Sequence, residues 1–266
     1  MPTETITSRR NPLVQRARAV REGREKGFVF VEGVRLCEEA AGASLDFDAA
    51  LYTPALERDE RGARLLDDLR RRAARVLAVD EGVLDFVADT KTAQGVVALA
   101  RRPRTGPELL DRGAAAPLVV VMHRANNPSN AGAMLRVAEA AGATAAVATA
   151  GSTDLFSPKS LRGSMGSAFR LPLWTGATLE EVSAWCAARG VRTVAAAADA
   201  PSTYTELDWT TPRAVLVGPE AGGLSDAEAR AADERVRVPM RAPVESLNVA
   251  VALGVLLYEA ARQRGW

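Results

Sequence analysis

Two rhythms of apolar and polar positions run along this chain. Short apolar runs closed by Gly, Pro or Asp mark strands. Between them, apolar residues recur every three or four positions among Arg, Asp and Glu, which marks amphipathic helices. Up to Ala100 the two alternate. Asn11-Pro12 opens a charged helical stretch to about Glu25, and Phe28–Val31 is a strand. Glu32-Gly33 turns the chain into a helix through Cys37 to Ala41, and Phe47–Tyr52 is a second strand. Arg58–Arg72 is a helix with Leu65, Leu66 and Leu69 on one face. Arg75–Val79 is a third strand, Asp80 caps a short helix to Phe86, and Gly95–Ala100 is a fourth strand. This alternation predicts an α/β domain.

Arg101–Ala116 breaks the rhythm with Pro103, Gly106, Pro107 and Gly113 set among charges. We place a linker at residues 104–116, between a domain of residues 1–103 and one of residues 117–266. The second domain starts with Leu118–Met122, a continuous apolar run of the kind a buried parallel strand requires. A helix over about Ala131–Ala141 follows, then strands near Ala145–Ala148, Val191–Ala195, Ala214–Val217 and Val236–Val238, with a helix over Leu179–Ala188 between them. The fold class is therefore α/β, with a parallel sheet covered by helices on both faces in the second domain. At the end of the chain, Val238-Pro-Met240 leads through a loop to Ser246-Leu-Asn248 and a strongly apolar helix. Few charges lie between Ser246 and Tyr258, so this helix is expected to be buried on several sides, with a polar entrance at a possible ligand site.

Composition adds limits. Lys plus Arg number 34 against 33 Asp plus Glu, so the overall charge selects no partner. Locally, Arg9, Arg10, Arg16, Arg18, Arg21, Arg24 and Lys26 outnumber Glu4, Glu22 and Glu25. That excess suits an acidic partner such as RNA, although charge alone favours a solvated helix face. Cys37 and Cys186 are too few and too far apart for a disulfide framework, and no Cys/His spacing points to zinc, so no metal is expected. His123 is the single histidine, which removes any chemistry needing two. Neither a signal peptide nor a confident membrane span is present in the pattern, and a cytoplasmic protein is expected.

Three polar clusters fall at predicted strand ends. Asn126–Arg136 follows a buried strand and opens a helix, with Asn130 as a possible cap and Arg136 less than two turns later, a spacing that predicts both reach one side of a site. Leu216–Asp226 sets Glu220 among glycines. The third is Val238–Asn248. Taken singly, each also reads as an ordinary cap or strand-to-helix loop. In an open α/β sheet, however, all three would meet beyond the carboxyl ends of the strands, where ligands bind. The dinucleotide-binding Gly-x-Gly-x-x-Gly, the Walker phosphate loop and the Gly-x-Ser-x-Gly elbow are all missing.

Together, Asn127-Pro-x-Asn-x-Gly-x-x-x-Arg136, Gly218-x-Glu-x-x-Gly-Leu-Ser225 and Val238-Pro-Met240 with Ser246-Leu-Asn-Val249 resemble the SpoU (TrmH-like) family of RNA ribose 2′-O-methyltransferases, within the SPOUT superfamily. The resemblance spans roughly Leu118–Arg262. The first half resembles the RNA substrate-binding domain that precedes the catalytic domain in many members, through Ile6–Pro12, Phe28–Gly33 and Thr90–Val97. The resemblance implies a C-terminal trefoil knot that forms a pocket for S-adenosylmethionine, and an active site completed across a homodimer. It implies functional roles for Asn130, Arg136, Glu220, Ser246 and Asn248, and backbone contacts to the cofactor at Gly218, Val238, Met240 and Leu247. Arg136 is the family's proposed base; a guanidinium rarely deprotonates, and binding the RNA phosphate while stabilising the alkoxide is an equally physical role. Arg9, Arg10, Arg16 and Arg18 are candidate RNA phosphate contacts. The chain departs from the common motif wording at Asn127, where many relatives have Asp, and in His123-Arg-Ala-Asn126. His123 is read as structural rather than as a base.

The expected activity is S-adenosylmethionine-dependent 2′-O-methylation of RNA. The front domain favours ribosomal RNA over transfer RNA. The alternatives are a transfer RNA methyltransferase, a non-catalytic RNA-binding or ribosome-assembly protein on the same fold, and a dinucleotide-dependent oxidoreductase.

Overall fold

In the computed structural model, described for residues 5–91, 94–111, 113 and 115–265, Asn11 starts the first helix. Its side chain accepts from the Leu13 N–H, and Pro12 takes the first helical position, where no N–H is needed. The chain continues through α1 (Pro12–Arg21), β1 (Phe28–Glu32), α2 (Val34–Gly42), β2 (Phe47–Tyr52), α3 (Glu60–Arg72), β3 (Arg75–Ala78), α4 (Glu81–Val87) and β4 (Val96–Arg101). It goes on to β5 (Leu118–Met122), α5 (Pro128–Ala140), β6 (Ala145–Thr149), α6 (Pro158–Ser164), α7 (Ser167–Arg170), β7 (Leu173–Ala177), α8 (Leu179–Ala187) and β8 (Arg192–Ala196). The last elements are β9 (Ser202–Thr203), β10 (Arg213–Val217), α9 (Asp226–Ala231), β11 (Glu234–Arg237) and α10 (Val249–Gln263). The first helix stops at Arg21, short of the expected Glu25. Glu22 is its C-cap and Gly23 turns the chain at φ +72°.

Contacts divide the chain into two units. The first comprises Met1–Pro103 with Phe156–Phe169, the second Arg104–Leu155 with Arg170–Trp266. The first unit holds a four-stranded sheet of order β1-β4-β2-β3, antiparallel except for β2 beside β3. Leu13, Val14 and Ala17 of α1 and Val83, Leu84 and Val87 of α4 pack on Phe30, Leu51, Val97 and Leu99. The alternate strand positions face the other way, where α2 and α3 lie against the sheet. There Leu65, Leu66 and Leu69 are buried, as the period of α3 predicts. Two of the motif stretches meet in this unit: a Cβ on Gly33 would come within 2.7 Å of Gln94 Oε1. Thr92 and Ala93, within the Thr90–Val97 stretch, lie outside the described residues, as do Arg112 and Ala114 of the linker. Arg162, from the Phe156–Phe169 segment, pairs with Asp89 at 2.7 Å. The linear reading of residues 117–266 as one stretch gave no sign that this segment groups with the first unit.

The second unit is a seven-stranded sheet of order β7-β6-β5-β10-β8-β11-β9 with every pair parallel. β5, β6 and β10 are buried at every position, which is why their sequences are continuous apolar runs. The order reverses about β5 and β10, so a crevice is expected at their carboxyl ends.

The C-terminal helix differs from expectation. Leu253, Leu256, Leu257, Ala260 and Ala261 are buried, and α10 packs on α5 closely enough that a Cβ on Gly254 would lie 3.3 Å from Val137 Cγ2. Yet Val251 and Tyr258 are 54% and 44% exposed. A low charge count predicts burial but not which surface supplies it. Here one face is covered within the chain and another is open. The helix end is fixed by Arg264, which donates to the carbonyls of Ala116, Trp209 and Thr211.

Candidate functional site

Beyond the carboxyl ends of β8, β10 and β11 lies a cavity of about 770 Å³, within the roughly 300–1,000 Å³ span of small-molecule sites. Its walls are built by the segments after those strands and by the starts of α5 and α10. Gly218, Glu220, Val238, Met240, Ser246, Leu247, Asn248 and Asn130 all line it. The three motif segments, separated by up to a hundred residues and more, thus converge on one space.

Each segment is shaped by local chemistry. A Cβ on Gly218 would overlap the backbone of Gly223 and Leu224, so only glycine lets the loop after β10 fold back on itself. Gly222 and Gly223 take φ of +88° and +65°, and Ser225 then caps α9 in a reciprocal bond with Glu228. Asn248 caps α10, accepting from Ala250 and Val251 N–H, while its amide donates to Asn130 Oδ1 at 3.2 Å. That bond ties the entrances of α5 and α10 together at the rim of the cavity.

Two expectations need correction. Asn130 does not cap α5. The helix starts at Pro128, and Asn127 is the cap, accepting from Ser129 and Asn130 N–H. Asn130 is thereby released to meet Asn248. Arg136 does not join Asn130 at the cavity. Six residues at about 100° each turn the helix by roughly 600°, which leaves the two side chains about 120° apart. Arg136 is exposed on α5 and is not among the residues lining the cavity.

The candidate RNA contacts in the first unit also separate. Arg16 bonds Glu25 and Asp48 and lies 4.4 Å from the Phe28 ring centre. Arg18 pairs with Glu22 at 3.0 Å and stacks on Phe86, which Arg9 approaches at 5.1 Å. Arg16 and Arg18 are engaged within the unit. Arg9 and Arg10 are exposed.

Sequence reasoning missed one wall, Ala196–Asp199, together with Asp226. Its signal was positional only: it follows β8 beside the switch point, with no motif to mark it. Asp199, Glu220 and Asp226 make the cavity acidic, and no Lys, Arg or His lines it among the described residues. His123 is buried behind the wall at 3% exposure. Both thiols are buried and free, and burial pushes Cys186 up to about 12, so neither offers a reactive thiolate.

Comparison with known proteins gives this geometry its context. Residues 117–258 match the model of the SpoU rRNA Methylase family, and residues 11–98 match that of the MRM3-like substrate binding domain. An uncharacterized tRNA/rRNA methyltransferase of Synechocystis is 34% identical, with 98% of this chain and 94% of the relative covered. A 23S rRNA (guanosine-2′-O-)-methyltransferase of Ralstonia nicotianae is also 34% identical, over 80% of this chain and 87% of its own. The crystal structure of an AdoMet-bound rRNA methyltransferase from Sinorhizobium meliloti superposes with a TM-score of 0.84 at 30% identity, covering 97% of both chains. The chain therefore belongs to the SpoU rRNA methylase family, with a substrate-binding domain ahead of its methylase domain.

Proposed function

We propose that this protein methylates a ribose 2′-hydroxyl of RNA with S-adenosylmethionine, and that ribosomal RNA is its substrate class. The observation that carries the reading is the convergence of Asn130, Gly218–Leu224 and Val238–Asn248 on one acidic cavity. The residues present fit the cofactor. It carries a net positive charge, which Asp199, Glu220 and Asp226 favour, and Gly218 leaves room where any side chain would fill the loop. When bound, S-adenosylmethionine supplies a methyl group on a sulfonium sulfur, whose positive charge disappears on transfer.

The chain's own groups do the rest. Gly218, Val238, Met240 and Leu247, which line the cavity, would hold the cofactor's adenosyl part. Glu220, Ser246 and Asn248 line the side open to the ribose, with Asn130 fixing Asn248 in orientation. An acidic cavity cannot itself stabilise a 2′-alkoxide or a phosphate. A cation must come from elsewhere, and Arg136 is the candidate. We assign it to phosphate binding and alkoxide stabilisation, because a guanidinium does not give up its proton in proteins; the 2′-hydroxyl proton is released to water as the methyl group leaves sulfur.

Arg136 lies outside its own cavity, so we assign it to the cavity of a second copy, across a homodimer formed by α5 and α10. Support for that arrangement is the exposure of Val244, Leu247, Val251 and Tyr258 near the rim and along α10. A trefoil knot is part of the same proposal. β11 lies outside β8 in the sheet, yet α10 packs on α5, so Val238–Asn248 must return across the ends of β8 and β10.

Labelled cofactor incubated with total RNA tests the reading. The parent is expected to label RNA and Arg136→Ala to do so at least a hundredfold more slowly, the scale of losing one transition-state charge contact. A parent that binds both cofactor and RNA but transfers no methyl would establish a binding role instead.

A further inference from the structure

The chain has one histidine, and it touches both ends of the loop that forms a wall of the cavity. The His123 N–H donates to the carbonyl of Val217 at 2.8 Å, immediately before Gly218. Its side chain reaches the far end, where Nε2 lies 3.0 Å from Glu228 Oε1 in the first turn of α9. Between these anchors, Gly218, Gly222 and Gly223 carry no side chain to pack, and Leu224 supplies the loop's own contact with the core. Its conformation therefore depends on how its ends are held.

Hydrogen accounting fixes the direction of the contacts at Glu228. The backbone N–H and hydroxyl of Ser225 each donate to Glu228 Oε2 at 2.8 Å. With His123 they hold Glu228 below the usual carboxylate range. A carboxylate only accepts, so Nε2 carries the hydrogen. On the other side, Thr149 Oγ1 accepts from the Arg124 N–H at 3.0 Å and lies 3.1 Å from Nδ1. Its hydroxyl can donate to a bare Nδ1 and accept from a protonated one. The chain from Arg124 through Thr149 and His123 to Glu228 gives both ring nitrogens a partner, with Nε2–H facing the carboxylate. The Arg124 guanidinium, 3.6 Å from the same Glu228 oxygen, adds a second contact from the strand end.

We propose that His123 is a positioning residue for the cofactor site, clamping the loop from Gly218 to Asp226 from behind and so setting the width of the cavity and the placement of Glu220. The inference rests on the reading of that cavity as the S-adenosylmethionine site.

A single histidine makes nitrogen-15 NMR of histidine-labelled, full-length protein unambiguous. The expected spectrum shows a protonated Nε2; an Nε2 without its hydrogen, or a rapidly averaging ring, overturns the clamp. Calorimetry then compares cofactor affinity in His123→Ala and His123→Gln, whose amide nitrogen can occupy the place of Nε2. His123→Ala is expected to weaken cofactor binding about tenfold, the scale of one hydrogen bond to a charged group. RNA affinity should stay unchanged, and His123→Gln should recover most of the loss. Unchanged cofactor affinity in His123→Ala, or equal loss of cofactor and RNA binding in both variants, contradicts the proposal. Should His123→Ala fail to fold, Thr149→Val, of nearly the same shape, is expected to increase averaging of the ring and weaken cofactor binding several-fold, about the effect of one neutral hydrogen bond. No change in either quantity contradicts the clamp. A parent that binds no cofactor overturns the functional reading, while the tautomer measurement still judges the clamp by itself.

Discussion

Single atoms decide what the site can hold. Gly218 is the sharpest case, because the atoms a Cβ would strike belong to the backbone of Gly223 and Leu224 and cannot rotate away. Gly218→Ala is expected to lower cofactor affinity at least tenfold by calorimetry, with the loop displaced to relieve strain of about 1–3 kcal/mol. An unchanged affinity would remove the loop from the cofactor site. The residue scale is also where the sequence was least legible. The motif spacing named Asn130 and Arg136 as a pair, but a helix turns them to different sides, and only the position of Pro128 reveals that Asn127 is the cap. Arg16 and Arg18 looked like free cations until Glu25, Asp48 and Glu22 were seen beside them. Charge lists carry no partners, and partners decide availability.

At the scale of elements, legibility followed burial. β5 and β10 are buried throughout, and their apolar runs were plain. β7, at one edge of the sheet, includes Gly176 and is only partly buried, and β9 has two residues, so neither has a readable pattern. The start of α5 was placed late because Pro128-Ser-Asn130 carries no apolar period. α10 offers two tests. Gly254 faces Val137 at contact distance, and Gly254→Leu is expected to cost about 1–3 kcal/mol in urea denaturation through overpacking. Glu259 is drawn down to about 2, first by its bond from Arg262 and then by that from Gln263. Because this value lies below the group's ordinary 4.5, the stabilisation is complete above about pH 4.5 and is lost as pH falls toward about 2. The effect is modest, since Arg262 is exposed and water screens the pair. Melting temperatures measured across that window should fall less for Glu259→Gln than for the parent.

The whole molecule raises the question of shared sites. The sequence places a boundary in the break at Arg101–Ala116, and the contacts change unit between Pro103 and Arg104. The grouping of Phe156–Phe169 with the first unit was not readable, because its partners Asp89 and Glu32 lie far away in sequence. If Arg136 serves the cavity of a second copy, two inactive proteins should rescue one another. Arg136→Ala keeps an intact cavity, and a Gly218 variant keeps an intact arginine. In a symmetric dimer mixed at random, one site in four should be whole, restoring about a quarter of parental activity. No recovery on mixing would place Arg136 at its own cavity. Light scattering should show a dimer at micromolar concentration. Nucleoside mass spectrometry of RNA treated with the protein and S-adenosylmethionine reads directly which atom is methylated. A 2′-O-methylribose nucleoside from ribosomal RNA, absent without the cofactor, is expected. A methyl group found on a base, or no methylated nucleoside at all, would contradict the proposed function.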